Sequence, residues 1–427
     1  MKKQTVHTMI MGLLTLFASY LYIVADTPPI QKIIIKEDPL LDTLVEEKES
    51  LYYLNKLRTS SGLIPLHLNP ILSTAAKNHA NYLIKHGRIG HYEEQNRSGF
   101  TGMYGSHRSI HAGYKTPMLI ENVSSNNFSY KTSVDGLMAA IYHRFAFLDF
   151  HIDEIGIGVA QHLKQRGQTA FVYNMGSHKL NTLCQNQGEI SSGEQVQNIC
   201  SDKKMSIEKE LFNEAIHAHR YKNSSVVLYP YEGQKDVPPA FFEELPDPLP
   251  DHSVSGFPIS ISFNEARFKS IKMISFKIFD EKKVEITETI SYNHQTDLNK
   301  KLKKFEFVLF PLQRLAWNHN YTVRAIYEAN GILKKKVWHF KTRNFTTPVH
   351  HVTFTKNSFQ IEEGEPNIFY FPPLSKRDTL GNLQYPASLD ISFIDKNTIK
   401  LIANNPPVNR LILRVGKHTL NLNIKKN

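Results

Sequence analysis

The sequence predicts an α+β domain followed by one or two β-sandwich domains, and three observations carry that expectation. Apolar residues recur at helical spacing, with capping residues at the ends, through residues 42–87. Short apolar strand-like runs follow within the same segment, so helices and strands share one domain. From Gly256 onward, apolar and polar residues alternate in a series of short runs separated by turns, which is the rhythm of a β-sandwich.

Residues 42–58 read as the first helix, with Leu44, Leu51, Leu54 and Leu57 near helical spacing and Gly62 ending it. The second opens at Asn69-Pro70, an N-cap followed by a proline at the first helical position. Its stripe of Leu72, Ala76, Ala80 and Leu83 runs to Gly87. A third helix is expected from about Ser133 to Leu148, and strands at 155–160 and 169–173. Residues 183–224 read as a connector that holds Cys184, Cys200 and a helix from Ser206 to His219. Proline-dense sequence follows, at Val237-Pro238-Pro239 and Pro246-Asp247-Pro248-Leu249-Pro250, and favours an extended segment. Strand-like runs at 259–263, 274–279, 305–309, 321–325 and 337–340 then build a β-sandwich over 225–345, with Asn330-Gly331 as a hairpin turn. Residues 346–427 continue as β-rich sequence, as in 411–415 and 420–424.

The N-terminus bears on the compartment. Lys2 and Lys3 precede an apolar run from Met9 to Ala25, stopped by Asp26-Thr27-Pro28-Pro29, and residues 1–25 therefore read as a secretory signal or a membrane anchor. No cysteine follows that run, which excludes a bacterial lipoprotein anchor. An extracellular, periplasmic or cell-surface location is expected, and in such a compartment Cys184 and Cys200 are expected to pair as a disulfide. The chain has 427 residues, 41% of them hydrophobic, enough for two or three cores. Its formal net charge is +11, but the basic residues are dispersed, in small clusters at 301–304 and 334–336 without interleaved aromatics. No nucleic-acid partner is expected from that pattern. Neither a G-x-S-x-G nucleophile elbow nor a phosphate-cradling glycine loop occurs.

Several pieces stand in a fixed order: Leu54-Asn55-Lys56-Leu57-Arg58, Gly62-Leu63-Ile64-Pro65-Leu66, Asn69-Pro70-Ile71-Leu72, Ala75-Ala76, His79-Ala80, Gly87 to His91, Gly113-Tyr114, Glu121-Asn122-Val123, His143-Arg144 and Ile155-Gly156-Ile157-Gly158. Over residues 45–182 this order resembles the bacterial branch of the CAP superfamily, the cysteine-rich secretory, antigen 5 and pathogenesis-related group. The resemblance implies a three-layer α-β-α sandwich. The later strand series resembles the Ig-like modules of bacterial surface proteins.

The CAP resemblance also implies a central cleft in which two His and two Glu can gather a divalent metal. His91 matches the first His, Glu121 the acid of the Glu-Asn pair and His143 the second His, next to Arg144. The remaining acid falls near Ala140, which cannot supply it. Two imidazoles and one carboxylate would suffice for a three-ligand site, for example for zinc, if they converge. The alternative is a hydrogen-bonded cluster in which His91 bonds Glu121 and His143 packs over both. Arg108 either orients Glu121 or binds an anion, or is a surface-loop arginine. His79 reads as a packed histidine, and Glu154 as a solvated carboxylate.

Three function classes follow: a binding module for a cell-surface or cell-wall component, a protein or a small ligand; a metal-assisted hydrolase of peptide or cell-wall material, with Glu121 as base; and an adhesive surface protein with an inert first domain. Membrane attachment enters only if the N-terminal segment is uncleaved. The absent second acid and the lack of a nucleophile motif count against the enzyme.

Overall fold

The computed structural model describes residues 40–186, 193–219, 221–381 and 383–426. The expected signal or anchor at 1–25 lies outside these residues. Among the described residues no helix is long and apolar enough to cross a membrane.

The first domain holds helices α1 (Thr43–Ser60), α2 (Pro70–His86), α3 (Gly105–His111), α4 (Tyr130–Ala139), α5 (Ile141–Phe147) and α6 (His178–Leu183). Strands β1 (His67–Leu68), β2 (Ile120–Ser125), β3 (Glu154–Gln161) and β4 (Thr169–Gly176) form one sheet in the order β1-β3-β4-β2. The side chain of Asn69 accepts the amides of Ile71 and Leu72 at the start of α2, and Gly87 ends it in the left-handed conformation.

Strand β3 shows how the layers form. Alternate residues of a strand face opposite sides. Ile155, Ile157 and Val159 share a core with Leu54 and Leu57 of α1 and with Val134, Leu137 and Met138 of α4. The opposite face carries α2, whose Ala76, Ala80 and Leu83 pack with Val123, Ala160, Ala170 and Val172. Gly156 and Gly158 let α2 approach the sheet. A Cβ on Gly156 would lie 2.0 Å from the Leu72 carbonyl carbon, and one on Gly158 2.3 Å from that of Ala76. The result is a helix–sheet–helix sandwich.

Two expected helices are corrected. The segment 133–148 is not one helix, because Ala140 is extended (φ −76°, ψ 115°) and separates α4 from α5. In a continuous helix the Tyr142 amide would bond the Met138 carbonyl. Here Arg144 Nε donates to that carbonyl at 2.6 Å, and the Tyr142 amide donates to Glu244 Oε1 at 3.0 Å. Residues 206–219 likewise begin as a strand. β5 (Gln195–Gln197) pairs antiparallel with β6 (Ser206–Glu208), and only Lys209–Ile216 is helical (α7). Cys184 and Cys200 are disulfide-bonded, and both pack in a small core with Leu180, Ile207 and Ala215.

Beyond the connector, β7 (Val226–Tyr229), β8 (Gln234–Val237), β9 (Ala240–Phe241), β10 (Ser255–Gly256), β11 (Ile259–Phe263), β12 (Ile271–Phe279), β13 (Thr289–Asn293), β14 (Glu306–Pro311), β15 (Asn320–Ala329) and β16 (Ile332–Thr342) follow. They form two four-stranded sheets, β13-β14-β11-β7 and β12-β15-β16-β8, with a β10-β9 ribbon. The β15–β16 turn is Asn330-Gly331, both with positive φ, as a two-residue hairpin of this sequence requires. The apolar core of this sandwich, around Trp338, Ile261 and Val323, is contiguous with that of the first domain.

A separate unit follows. β17 (Val349–His351), β18 (Ser358–Glu362), β19 (Asn367–Tyr370), β20 (Leu383–Gln384), β21 (Leu389–Asp395), β22 (Thr398–Ala403), β23 (Arg410–Val415) and β24 (His418–Lys425) make two more four-stranded sheets, β17-β19-β22-β21 and β18-β24-β23-β20. Their inner faces share a core of their own, including Phe369, Leu401, Leu413 and Leu422.

Candidate functional site

Glu121 sits on β2, where Asn174 of β4 is its register partner. Buried Arg108 of α3 donates from Nη2 to both Glu121 oxygens, at 2.7 and 2.6 Å. Its Nη1 donates to the carbonyls of His91, Gly102 and Met103 at 3.0, 3.1 and 3.2 Å. Gly105 at the start of α3 leaves room for this pair, since a Cβ there would lie 3.0 Å from the Glu121 carboxyl carbon. With its amide oriented to satisfy both partners, Asn174 also donates to Glu121 Oε2 at 3.0 Å.

A second carboxylate backs the first. Glu93, fully buried, bonds His79 Nδ1 at 2.9 Å and accepts the Thr101 amide at 2.7 Å, with Arg108 Nε 3.7 Å away. His79 Nε2 meets the Gly90 carbonyl at 3.0 Å. His79 is therefore a packed histidine that orders the loop carrying His91. Burial alone would raise the pKa of Glu121, but the His91 hydrogen bond and the Arg108 charge outweigh it and hold the carboxyl below its ordinary value.

His91 Nδ1 lies 3.0 Å from Glu121 Oε1, on an imidazole 40% exposed. The His143 ring stacks on it, with centroids 6.3 Å apart and planes at 14°. The carbonyl of His143 accepts the Asn122 side-chain amide at 2.9 Å, which ties α5 to β2. His143 Nδ1 is buried without a hydrogen bond, 3.8 Å from Glu244 Oε1. Glu244 is buried too, and its Oε2 has no hydrogen-bond partner. Burial pushes the Glu244 carboxyl upward, against the opposing pull of His143 and of the Tyr142 and Ile141 amides. Each imidazole thus turns Nδ1 toward one carboxylate: His91 toward Glu121, and His143 toward Glu244.

Glu244 is the candidate-site residue the sequence does not reveal. It comes from the proline-dense segment after β9, 102 positions from Tyr142, and no spacing rule reaches across that distance. Ala140 leaves no acid of its own, and Glu244 stands beside His143 instead. Glu154 is not the solvated carboxylate expected. It is buried, accepting from Tyr114 Oη at 2.6 Å and from the Asn69 side chain at 2.8 Å. Arg108 is not a surface arginine; it is buried and orients Glu121.

The donor set of His91, Glu121 and His143 does not fit a divalent ion as three ligands. Among the described residues these three do not bring their ligand atoms within 4.8 Å of one another. Glu121 already faces a guanidinium, whose positive charge and two hydrogen bonds compete with a cation for the carboxylate. Beside His91 the surface is aromatic. Tyr92 and Tyr104 are exposed and meet edge to face at 5.6 Å, and Tyr104 meets His107 at 5.2 Å.

The chain is similar to several solved structures. An outer surface protein of Borrelia burgdorferi shares 20% identity, covering 32% of this chain and 95% of that one, with a TM-score of 0.28. An extracellular protein from Bacillus anthracis that contains an SCP domain shares 14%, covering 33% of this chain and 44% of that one, at 0.28. A cysteine-rich secretory protein of Staphylococcus aureus shares 19%, covering 32% and 40%, at 0.24. No curated protein matches the chain. A sequence model of the cysteine-rich secretory protein family, CAP, matches residues 51–175, the segment that holds α2, β2 and the His91–Glu121–His143 group. Residues 51–175 are therefore a CAP domain.

Proposed function

We propose that the protein is an exported, non-catalytic binding module whose CAP cleft captures a component of the cell surface or cell wall. The observation that carries this reading is the commitment of Glu121 to Arg108. A carboxylate that accepts two guanidinium bonds and is held below its ordinary pKa is a weak base, whereas a hydrolase would need it free to take a proton from water. What the cleft offers a ligand is a stacked imidazole pair, each ring backed by a carboxylate, beside the exposed rings of Tyr92 and Tyr104. The unpartnered atoms His143 Nδ1 and Glu244 Oε2 suit a polar ligand group, because a buried polar atom without a partner is costly.

Co-sedimentation of the full chain with isolated cell-envelope material tests the proposal. Wild type is expected in the pellet and the His91→Ala/His143→Ala variant in the supernatant. Capture undiminished in that variant would favour the adhesive reading, with the CAP domain as scaffold. Release of soluble fragments that stops in Glu121→Gln would instead establish a hydrolase.

A further inference from the structure

A second constellation of histidine and carboxylate lies away from the cleft, on the seam where the CAP domain, the connector and the first β-sandwich meet. His151 follows α5, His217 ends α7 and Glu265 follows β11. One ligand atom from each lies within 4.8 Å of the other two. We propose that His151, His217 and Glu265 form a divalent transition-metal site of the zinc class that ties these three parts of the chain together.

The geometry is close to what such an ion needs. Metal–ligand bonds of roughly 2.0–2.1 Å in a tetrahedron put neighbouring ligand atoms about 3.3 Å apart. His151 Nε2 stands 3.0 Å from Glu265 Oε1, nearly that edge, and the His151 and His217 ring centroids are 5.8 Å apart. Closing the triangle takes rotation of His217 and Glu265, which are less enclosed than the groups behind them. Two imidazoles and one carboxylate suit zinc, cobalt or nickel better than calcium or magnesium, whose sites are built of oxygen.

The support behind the ligands separates this group from an incidental surface cluster. His151 Nδ1 is held by Asp149 Oδ1 at 3.0 Å, so that Nε2 is the nitrogen turned toward Glu265. A carboxylate on the far nitrogen of a ligating histidine is the usual outer-sphere arrangement of zinc sites. Asp149 is fixed in turn by Lys303 Nζ at 2.5 Å and the His151 amide at 2.7 Å. Arg58 donates to the carbonyls of Phe147, Asp149 and Ile152, which sets the loop itself. The connector is pinned two residues past His217, where His219 Nε2 meets Asp153 Oδ2 at 2.8 Å. On the sandwich side, the Asn264 amide donates to the Ser225 carbonyl at 2.9 Å, next to Glu265. Three segments far apart in sequence are each anchored before their ligand atoms converge.

Titration of the chelator-treated full chain with zinc chloride, followed by calorimetry, tests the site. One equivalent is expected that persists in His91→Ala/His143→Ala and is lost in His217→Ala. Glu265→Gln, at an exposed position, is a second variant that leaves the fold intact, and it is expected to weaken binding. Asp149→Asn, which loosens the support of His151, is expected to cost about 10–100-fold in affinity. Cobalt chloride in place of zinc is expected to give the visible absorption of four-coordinate cobalt in wild type and none in His217→Ala. No saturable equivalent in wild type, equal affinity in His217→Ala, or loss only in the cleft variant would overturn the site and leave an ion-pair cluster.

Discussion

Arg108→Met tests how the cleft is held together. The substitution keeps much of the side-chain length and removes the charge and all five donors. It leaves the Glu121 carboxylate without its two guanidinium bonds, three carbonyls without Nη1, and Glu93 without the positive charge 3.7 Å away. Removing one partner of a buried ion pair costs about 3–5 kcal/mol, because the other charge stays buried and uncompensated. Two buried carboxylates depend on this one arginine, so the upper half of that range is expected. Both tryptophans, Trp317 and Trp338, lie outside the CAP domain, so their fluorescence does not isolate the event. Hydrogen exchange of the β2 amides, corrected for intrinsic rate, reports it directly. Adding Glu121→Gln to Arg108→Met should restore part of the loss, with a coupling of about 1–3 kcal/mol. Acid is a second probe of the same cluster. Burial works against ionisation of Glu93, yet the bonds from His79 and Thr101 and the charge of Arg108 bring its pKa below the ordinary value. Its contribution is therefore present above the unfolded carboxyl pKa and lost as pH falls through the lower folded one. Wild-type protection of β2 should persist into mildly acidic solution and fall below it. A destabilisation by Arg108→Met under about 1 kcal/mol, the level of an exposed ion pair, would refute the reasoning.

Glu244→Ala should expose the Tyr142 amide and lower the stability of α5 by about 0.5–2 kcal/mol, the range of a lost helix cap, read as faster exchange at 141–144. Gly158→Ala should collide with the α2 backbone, where a Cβ would lie 2.3 Å from the Ala76 carbonyl carbon. Overpacking of that kind costs about 1–3 kcal/mol or more, and a sharp loss of soluble protein is expected; normal yield and melting would show that α2 can shift. Gly331→Ala should cost about 1–2 kcal/mol in the β15–β16 hairpin, since φ is +79° there, and circular dichroism on melting would measure it.

Local features of the fold were legible and remote ones were not. Asn69, Pro70 and Gly87 mark the ends of α2 because a cap is a bond between near neighbours. The alternation of isoleucine and glycine in β3 records its two faces, one packing on α1 and α4 and the other against α2. The break at Ala140 was hidden because its cause is the carboxylate of Glu244, arriving from beyond the connector. Residues 206–208 carry no local mark of a strand because their partner is a strand across the disulfide loop. In the cleft, the proximity of His91 and Glu121 could be anticipated from motif order. The burial of Arg108 could not, since its acceptors are mostly backbone carbonyls that leave no mark in sequence. The grouping of His151, His217 and Glu265 is of the same kind, one residue from each of three segments with no repeat to announce it.

The arrival of Glu244 beside His143 bears on how this protein can be dissected. A fragment ending at residue 182 would keep every residue of the CAP match and still lack the carboxylate facing His143 and the acceptor for the Tyr142 amide. It would also expose the face of Ile141 and Phe145 that packs on Phe241 and Phe310. Ligand screens against such a fragment would sample a cleft that the whole chain never presents. The smallest faithful unit for cleft studies runs through the end of β16.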